Sequence, residues 1–163
     1  MTSEARDSAV NRGPSPLATP GAASPERIRT LVFDDHDTLA AAVARRLATV
    51  IRERTAGGGH AVLGLATGST PLGVYRELVR LHRDEGLTLR QVVTFNLDEY
   101  FPIAPDNRHS YHRFMWEQLF SQVDIDPANV HIPRGDLHGD DVPAAAAEYE
   151  RAIAAAGGID FQI

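Results

Sequence analysis

The spacing of apolar residues changes several times along this chain, and the changes mark predicted helices and strands. From Asp37 to about Arg54 the apolar positions recur every three or four residues, which predicts an amphipathic helix with Asp37 as its N-cap. Ala61–Leu65 is a continuous apolar run, typical of a buried strand. Helical spacing returns from Pro71 to about Asp84, and the β-branched run Gln91–Asn96 predicts another strand.

The rest of the chain continues the alternation with shorter elements. The pattern predicts strands at about Thr30–Asp34 and Asn129–Ile132, and helices at His109 to about Phe120 and Val142–Ala156. Ile159–Ile163 has the character of a strand that has just begun. Strands that alternate with helices indicate βαβ units. We therefore expect a Rossmann-like three-layer αβα fold with a mainly parallel sheet, truncated at its C-terminal end.

Composition divides the chain into a tail and one domain. Residues 1–26 are rich in Ser, Ala, Gly and Pro, and their four prolines interrupt any helix, so we expect a disordered tail there. Residues 27–163 then form a single α/β domain, within the size range of one hydrophobic core.

Charge and cysteine content narrow the class of partner and of chemistry. A formal net charge of −6 argues against binding to nucleic acid or to an anionic membrane. The absence of cysteine excludes disulfides, zinc–thiolate sites and thiol catalysis, and it fits a reducing cytoplasm, where we expect the protein to reside. No apolar run approaches the roughly 18 residues that a bilayer span requires, and the N-terminus lacks the apolar core of a signal peptide.

A small glycine- and hydroxyl-rich turn joins the strand at Ala61–Leu65 to the helix that follows. Gly68 allows the backbone to approach an anion, and Ser69 and Thr70 offer hydroxyl and amide donors. Pro71 suits the first helical position, and the helix dipole favours an anion at this end. The turn predicts a phosphate site, with an ordinary turn capped by Thr70 as the alternative.

A second group of polar residues follows the strand at Gln91–Asn96. Asp98, Glu99 and Tyr100 would lie at the carboxyl edge of a parallel sheet, where ligands bind in open α/β folds. A carboxylate beside a sugar phosphate can act as a general base. His109 and His112 are three residues apart, but no third ligand stands at a suitable spacing, so we predict no metal site.

Three segments together resemble glucosamine-6-phosphate deaminase, in order and spacing. They are Gly64–Pro71, Thr94–Tyr100 and Asn107–Met115. The resemblance runs from about Thr30 to the end of the chain. It implies conversion of glucosamine 6-phosphate to fructose 6-phosphate and ammonia, by ring opening, proton transfer between carbons 2 and 1, and loss of the amino group. It implies neither a metal nor an organic cofactor.

The resemblance also assigns roles to residues. It makes Asp98 the general base, and it gives Glu99 and Tyr100 a supporting role in positioning and shape. The phosphate loop of the family falls on four consecutive residues: Thr67, Gly68, Ser69 and Thr70. The sister family, 6-phosphogluconolactonase, usually has arginine where this chain has Tyr100, which favours the deaminase.

Other residues that the resemblance implies are not in this sequence. In the deaminases the strand that matches Ile159–Ile163 leads into a loop with the histidine of ring opening, and basic residues that grip the phosphate follow later. We therefore expect an incomplete fragment of a deaminase whose partner is a small sugar phosphate, with homo-oligomers left open for the full-length protein. The alternatives are a non-catalytic sugar-phosphate-binding module and a 6-phosphogluconolactonase-type hydrolase.

Overall fold

The computed structural model describes residues 30–163, and the predicted tail at residues 1–26 lies outside this range. Helices and strands alternate along most of the described chain. In chain order the main elements are α1 (His36–Thr55), β1 (Ala61–Leu65), α2 (Leu72–Glu85), β2 (Val92–Asn96), α3 (Tyr111–Gln118), β3 (Val130–His131), α4 (Val142–Ala155) and β4 (Phe161–Gln162). Short 3₁₀ turns lie at Phe120–Gln122, Pro127–Asn129 and Gly139–Asp141. No helix among these residues is both long and apolar enough to cross a membrane.

The four strands form one parallel sheet in the order β3-β2-β1-β4. Leu63 of β1 pairs with Thr94 of β2 on one side and with Phe161 of β4 on the other. Because parallel neighbours need crossover connections, the helices between the strands return the chain to the same edge each time. The predicted α/β fold with a parallel sheet is confirmed.

One face of the sheet carries the main hydrophobic core. Successive residues of a strand point to opposite faces, so every second residue of β1 lies on this side. The buried cluster joins them to the inward positions of α1, α2 and α3 and to residues of the loops that follow these helices. Its largest members are Leu47, Ile51, Leu63, Leu65, Tyr75, Leu78, Leu81, Leu87, Leu89, Met115, Leu119 and Phe120. Leu47 and Ile51 of α1 and Leu78 of α2 are therefore inward positions of an amphipathic pattern.

The opposite face is covered by α4. Phe95 of β2 stacks on the ring of His131 from β3, with centroids 4.6 Å apart, and meets the edge of Tyr149 from α4. The Tyr149 hydroxyl donates hydrogen bonds to the backbone carbonyls of Asn96 and His131. None of the α4 residues is fully buried, so this layer contributes less core than α1 and α2.

The predicted strand at Thr30–Asp34 is wrong. These residues form no strand in the described chain, and Leu31 and Val32 are 60% and 79% exposed. An apolar segment becomes a strand only where a neighbour supplies hydrogen bonds, and β1 already pairs with β2 and β4 on its two sides. The predicted N-cap is displaced as well, because Asp35, rather than Asp37, accepts the Thr38 N–H at 2.7 Å.

The other predicted elements are found with small shifts at their ends. β1 has the predicted bounds, and α4 ends one residue early, before Gly157 and Gly158 with φ of 92° and 84°. α3 begins after Ser110, whose hydroxyl accepts the Arg113 N–H at 3.0 Å. The predicted last turn of that helix is instead the 3₁₀ turn at Phe120–Gln122.

Candidate functional site

The glycine- and hydroxyl-rich turn and the acidic segment follow neighbouring strands that end side by side. Leu65 and Asn96 are paired as the last residues of β1 and β2, and the Leu97 N–H donates to the Leu65 carbonyl at 3.1 Å. The turn after β1 and the acidic segment after β2 therefore start side by side, at the carboxyl edge of the sheet. This is the edge at which ligands of open α/β folds bind.

The turn after β1 is open on one side and anchored at both ends. Gly68 has a φ of +101°, a conformation that favours glycine, and the space beside it is open. The buried Tyr75 hydroxyl donates to the Ala66 carbonyl, and burial raises the pKa of this phenol. At the other end, Nε2 of His36 lies 3.1 Å from the Thr70 carbonyl, to which it donates. Gly68, Ser69 and Thr70 are exposed between these anchors.

Helix α2 starts directly after this turn without a side-chain cap. Pro71 occupies the position before the first helical residue, Leu72, and no side chain there accepts a hydrogen bond from the α2 amides. The alternative in which Thr70 caps the helix is therefore wrong. The first amides of the helix and its positive dipole end remain available beside the turn.

The acidic segment is tied to the start of α3 by Glu99. Its carboxylate accepts the N–H of Tyr111 at 2.8 Å and that of His112 at 2.9 Å. A carboxylate at this position also complements the helix dipole. Asp98, one residue earlier, is exposed. Glu99 thus fixes the backbone on which the Asp98 side chain is presented.

Tyr111, the first residue of α3, brings the two segments together. Its ring lies 4.6 Å from that of Tyr100 between centroids. The pKa of the Tyr111 phenol is raised, first by the neighbouring Tyr100 hydroxyl and by burial, and further by the negative charge of Asp98, whereas the Thr67 hydroxyl acts in the opposite direction. The Thr67 hydroxyl and the Asp98 charge therefore both act on the pKa of this phenol.

A cleft of about 730 Å³ has Asp98 in its wall. It lies between the acidic segment, β3 and α4, and includes Asp98, Glu99, His131, Arg134 and Tyr149 in its wall. Burial lowers the pKa of His131. Within the described chain, Asp98 lines this cleft and the four turn residues do not.

Comparison with known proteins identifies the family. The family model described as glucosamine-6-phosphate isomerases/6-phosphogluconolactonase matches residues 34–162. The chain belongs to this family.

The relatives of this chain include proteins named for each of the two activities. A glucosamine-6-phosphate deaminase of Caenorhabditis elegans is 41% identical over 134 residues, which cover 82% of this chain and 49% of that protein. The solved structure of a monomeric glucosamine-6-phosphate deaminase is 39% identical, with a TM-score of 0.73, and the match covers 78% of this chain and 51% of that one. A 6-phosphogluconolactonase from Thermotoga maritima is 25% identical, with a TM-score of 0.60 over 76% and 53% of the two chains. The chain spans about half the length of the curated relatives it matches.

Three residues of this family member that contact the site were missed by sequence reasoning. Tyr111 lies within the segment Asn107–Met115 that carries the resemblance, but its position in a motif did not reveal that its ring packs on Tyr100. Tyr75 and His36 hold the ends of the turn, and His36 is 34 residues away from its partner. Nothing in the periodicity of either helix distinguishes these side chains. Residues 30–163 contain no cluster of three or more His, Asp or Glu side chains suited to a metal ion.

Proposed function

We propose that the protein to which this chain belongs is a glucosamine-6-phosphate deaminase, which converts glucosamine 6-phosphate and water to fructose 6-phosphate and ammonia. The observation that carries the proposal is the pairing of Leu65 with Asn96, which starts the phosphate-type turn and the segment with the Asp98 carboxylate side by side at one edge of the sheet. The greater identity to deaminases than to the lactonase supports this choice of class.

The phosphate group of the substrate binds at the turn after β1. Thr67 and Ser69 supply hydroxyl donors, and Gly68 leaves space for close approach of the anion. The carbonyls of Ala66 and Thr70 at the two ends are occupied by Tyr75 and His36, so they do not compete for the donors of the turn. The amides at the start of α2 and the helix dipole add attraction for the anion.

Asp98 acts as the general base on the open-chain sugar. Its carboxylate removes the proton from carbon 2, and the electron pair of the broken C–H bond forms a carbon–carbon double bond while the aldehyde oxygen gains a proton. Return of a proton to carbon 1 leaves an imine at carbon 2, which water hydrolyses to the ketose and ammonia. Glu99 and Tyr100 are positioning residues, since Glu99 holds the segment against α3 and Tyr100 packs on Tyr111.

The two alternatives differ from the deaminase in the reaction that follows binding of the sugar phosphate. A 6-phosphogluconolactonase-type hydrolase would open a lactone and release no ammonia, and the shared fold supports it as the second candidate. A non-catalytic module would bind the sugar phosphate without turnover.

We also propose a cytoplasmic location, which the absence of cysteine supports.

Two substitutions in the natural full-length protein separate binding from chemistry. Asp98→Asn keeps the size of the side chain and removes the base, so kcat for ammonia release should fall by about 10²–10⁴-fold with little change in affinity. Gly68→Val should instead weaken binding of glucosamine 6-phosphate, because a side chain is strained at this φ and crowds the anion.

Asp140→Asn, which alters an exposed carboxylate in the 3₁₀ turn before α4, serves as the matched control and should leave both quantities unchanged. Unchanged turnover in Asp98→Asn would remove the base from the mechanism. Lactone hydrolysis by a wild-type protein that releases no ammonia would favour the second candidate, and binding without either reaction would favour the non-catalytic module.

A further inference from the structure

His36 connects the start of α1 to the end of the phosphate turn. The imidazole is half-exposed, and its Nε2 donates to the Thr70 carbonyl at 3.1 Å. The acceptor is the last residue of the turn, immediately before Pro71 and α2. A side chain from one helix thus holds the backbone from which the next helix begins.

The imidazole of His36 lies in space that is free because residue 73 is a glycine. A Cβ at Gly73, in the first turn of α2, would lie 2.9 Å from Cε1 of His36 and 2.8 Å from the Cβ of Ala40. Real Cβ atoms do not approach other atoms so closely, so any side chain at this position would displace the ring. Two carboxylates next to His36 in the sequence lie near the ring: Asp37, whose Oδ1 is 3.9 Å from Nδ1, and the N-cap Asp35.

The Thr70 carbonyl is the backbone group of the turn that most needs a partner of this kind. A carbonyl oxygen that turned toward a bound phosphate would repel it, and Pro71 offers no N–H in compensation. A ring N–H that holds this oxygen keeps the peptide in the orientation that leaves the other donors of the turn facing the ligand. The Tyr75 hydroxyl does the same for Ala66 at the opposite end.

We propose that His36 is a positioning residue of the phosphate turn, which acts on sugar-phosphate affinity through its hydrogen bond to Thr70. This inference rests on the proposed phosphate site at Thr67–Thr70. It concerns binding of the phosphate group, which does not change during the reaction, so the loss should be confined to Kd and KM.

The test compares two substitutions of His36 in the natural full-length protein. His36→Phe keeps a ring over Gly73 but removes the donor, and should weaken binding of glucosamine 6-phosphate and of inorganic phosphate by roughly five- to tenfold in calorimetry, with kcat unchanged. His36→Gln keeps an N–H donor and should restore most of the affinity. If phenylalanine unfolds the chain, as judged by circular dichroism, His36→Ala replaces it.

Amide hydrogen exchange at Gly68–Thr70 provides a readout that does not depend on ligand. Exchange should be faster than wild type in His36→Phe and close to wild type in His36→Gln. Equal affinity in both variants and in the wild type, or a fall in kcat with Kd unchanged, would overturn the inference. A wild type that binds neither ligand would contradict the proposed function, and the exchange rates would then decide separately whether His36 orders the turn.

Discussion

At the scale of single residues, the clearest energetic role outside the site belongs to Asp124. Its carboxylate accepts the Leu89 N–H and the Thr88 hydroxyl, both at 2.7 Å, and Arg90 lies 3.2 Å away. Burial alone would raise the pKa of this carboxyl, but the hydrogen bonds outweigh it and the pKa is lowered. The charged side chain therefore links the loop after α2 to the loop after the 3₁₀ turn at Phe120–Gln122.

This lowered pKa predicts a specific loss of stability in acid. Because the folded chain favours the charged form more than the unfolded chain does, the contribution is present above the ordinary aspartate pKa of about 4 and is lost as pH falls through the folded value. Asp124→Asn should lower the free energy of unfolding by about 1–2 kcal/mol at pH 7, measured with urea. The difference from wild type should shrink below about pH 4.

The exposed Glu53 of α1 offers a matched control, since Glu53→Gln should change stability little at either pH. A difference between Asp124→Asn and wild type that stays constant with pH would show that the carboxylate charge contributes nothing.

Sequence could predict the site residues that lie in motifs, but not those that reach the site from elsewhere in the fold. Thr67–Thr70 and Asp98 follow predicted strands, and the rule that parallel strands end at one edge brings their segments together. The assigned roles of these residues remain predictions. Tyr75 has an ordinary helical position in the sequence and His36 precedes the predicted helix, and only the packing of α1 and α2 shows that they hold the turn.

At the scale of elements, the contact between α1 and α2 depends on Gly73. Glycine lowers the propensity of a helix by about 1 kcal/mol, so its presence in α2 needs a packing reason. The reason is the close approach of Ala40 from α1. Helices that meet at a glycine place their backbones nearer than larger side chains would allow.

Gly73→Ala should therefore destabilise the chain, although alanine is the better helix former. The added methyl forces the two helices apart, and we expect the free energy of unfolding to fall by about 1–2 kcal/mol. Gly57→Ala is the matched control, because that position is open and its φ is not left-handed, and it should be neutral or slightly stabilising. A gain in stability at position 73 would indicate that the helices adjust without strain.

Elements with a strong internal pattern were predictable, and those that depend on a partner were not. β1 is apolar throughout and was predicted at its observed bounds. Thr30–Asp34 also contains an apolar run, Leu31 to Phe33, but no neighbouring strand pairs with it in the described chain. The cap of α1 moved from Asp37 to Asp35 because both carboxylates precede the same apolar pattern, and only the backbone conformation selects one.

At the scale of the whole molecule, stability should differ between the two faces of the sheet. The face covered by α1, α2 and α3 contains the main buried cluster, whereas none of the α4 residues is fully buried. Regions with little buried apolar contact open with smaller free energies. Amides of α4 should therefore exchange faster than those of α1 and α2 under native conditions, measured by hydrogen exchange and mass spectrometry. Equal protection in all three helices would contradict this expectation.

The anchoring of the turn by two helices has a consequence for protein engineering. A designer who transplants the eight residues from Ala66 to Gly73 into another α/β protein would move the donors without the groups that hold their carbonyls. A functional graft would also have to carry Tyr75 and a histidine from the preceding helix. It would need a small residue, such as Ala40, where that helix approaches Gly73. The transferable unit is thus a discontinuous piece of the fold, and no single peptide segment contains it.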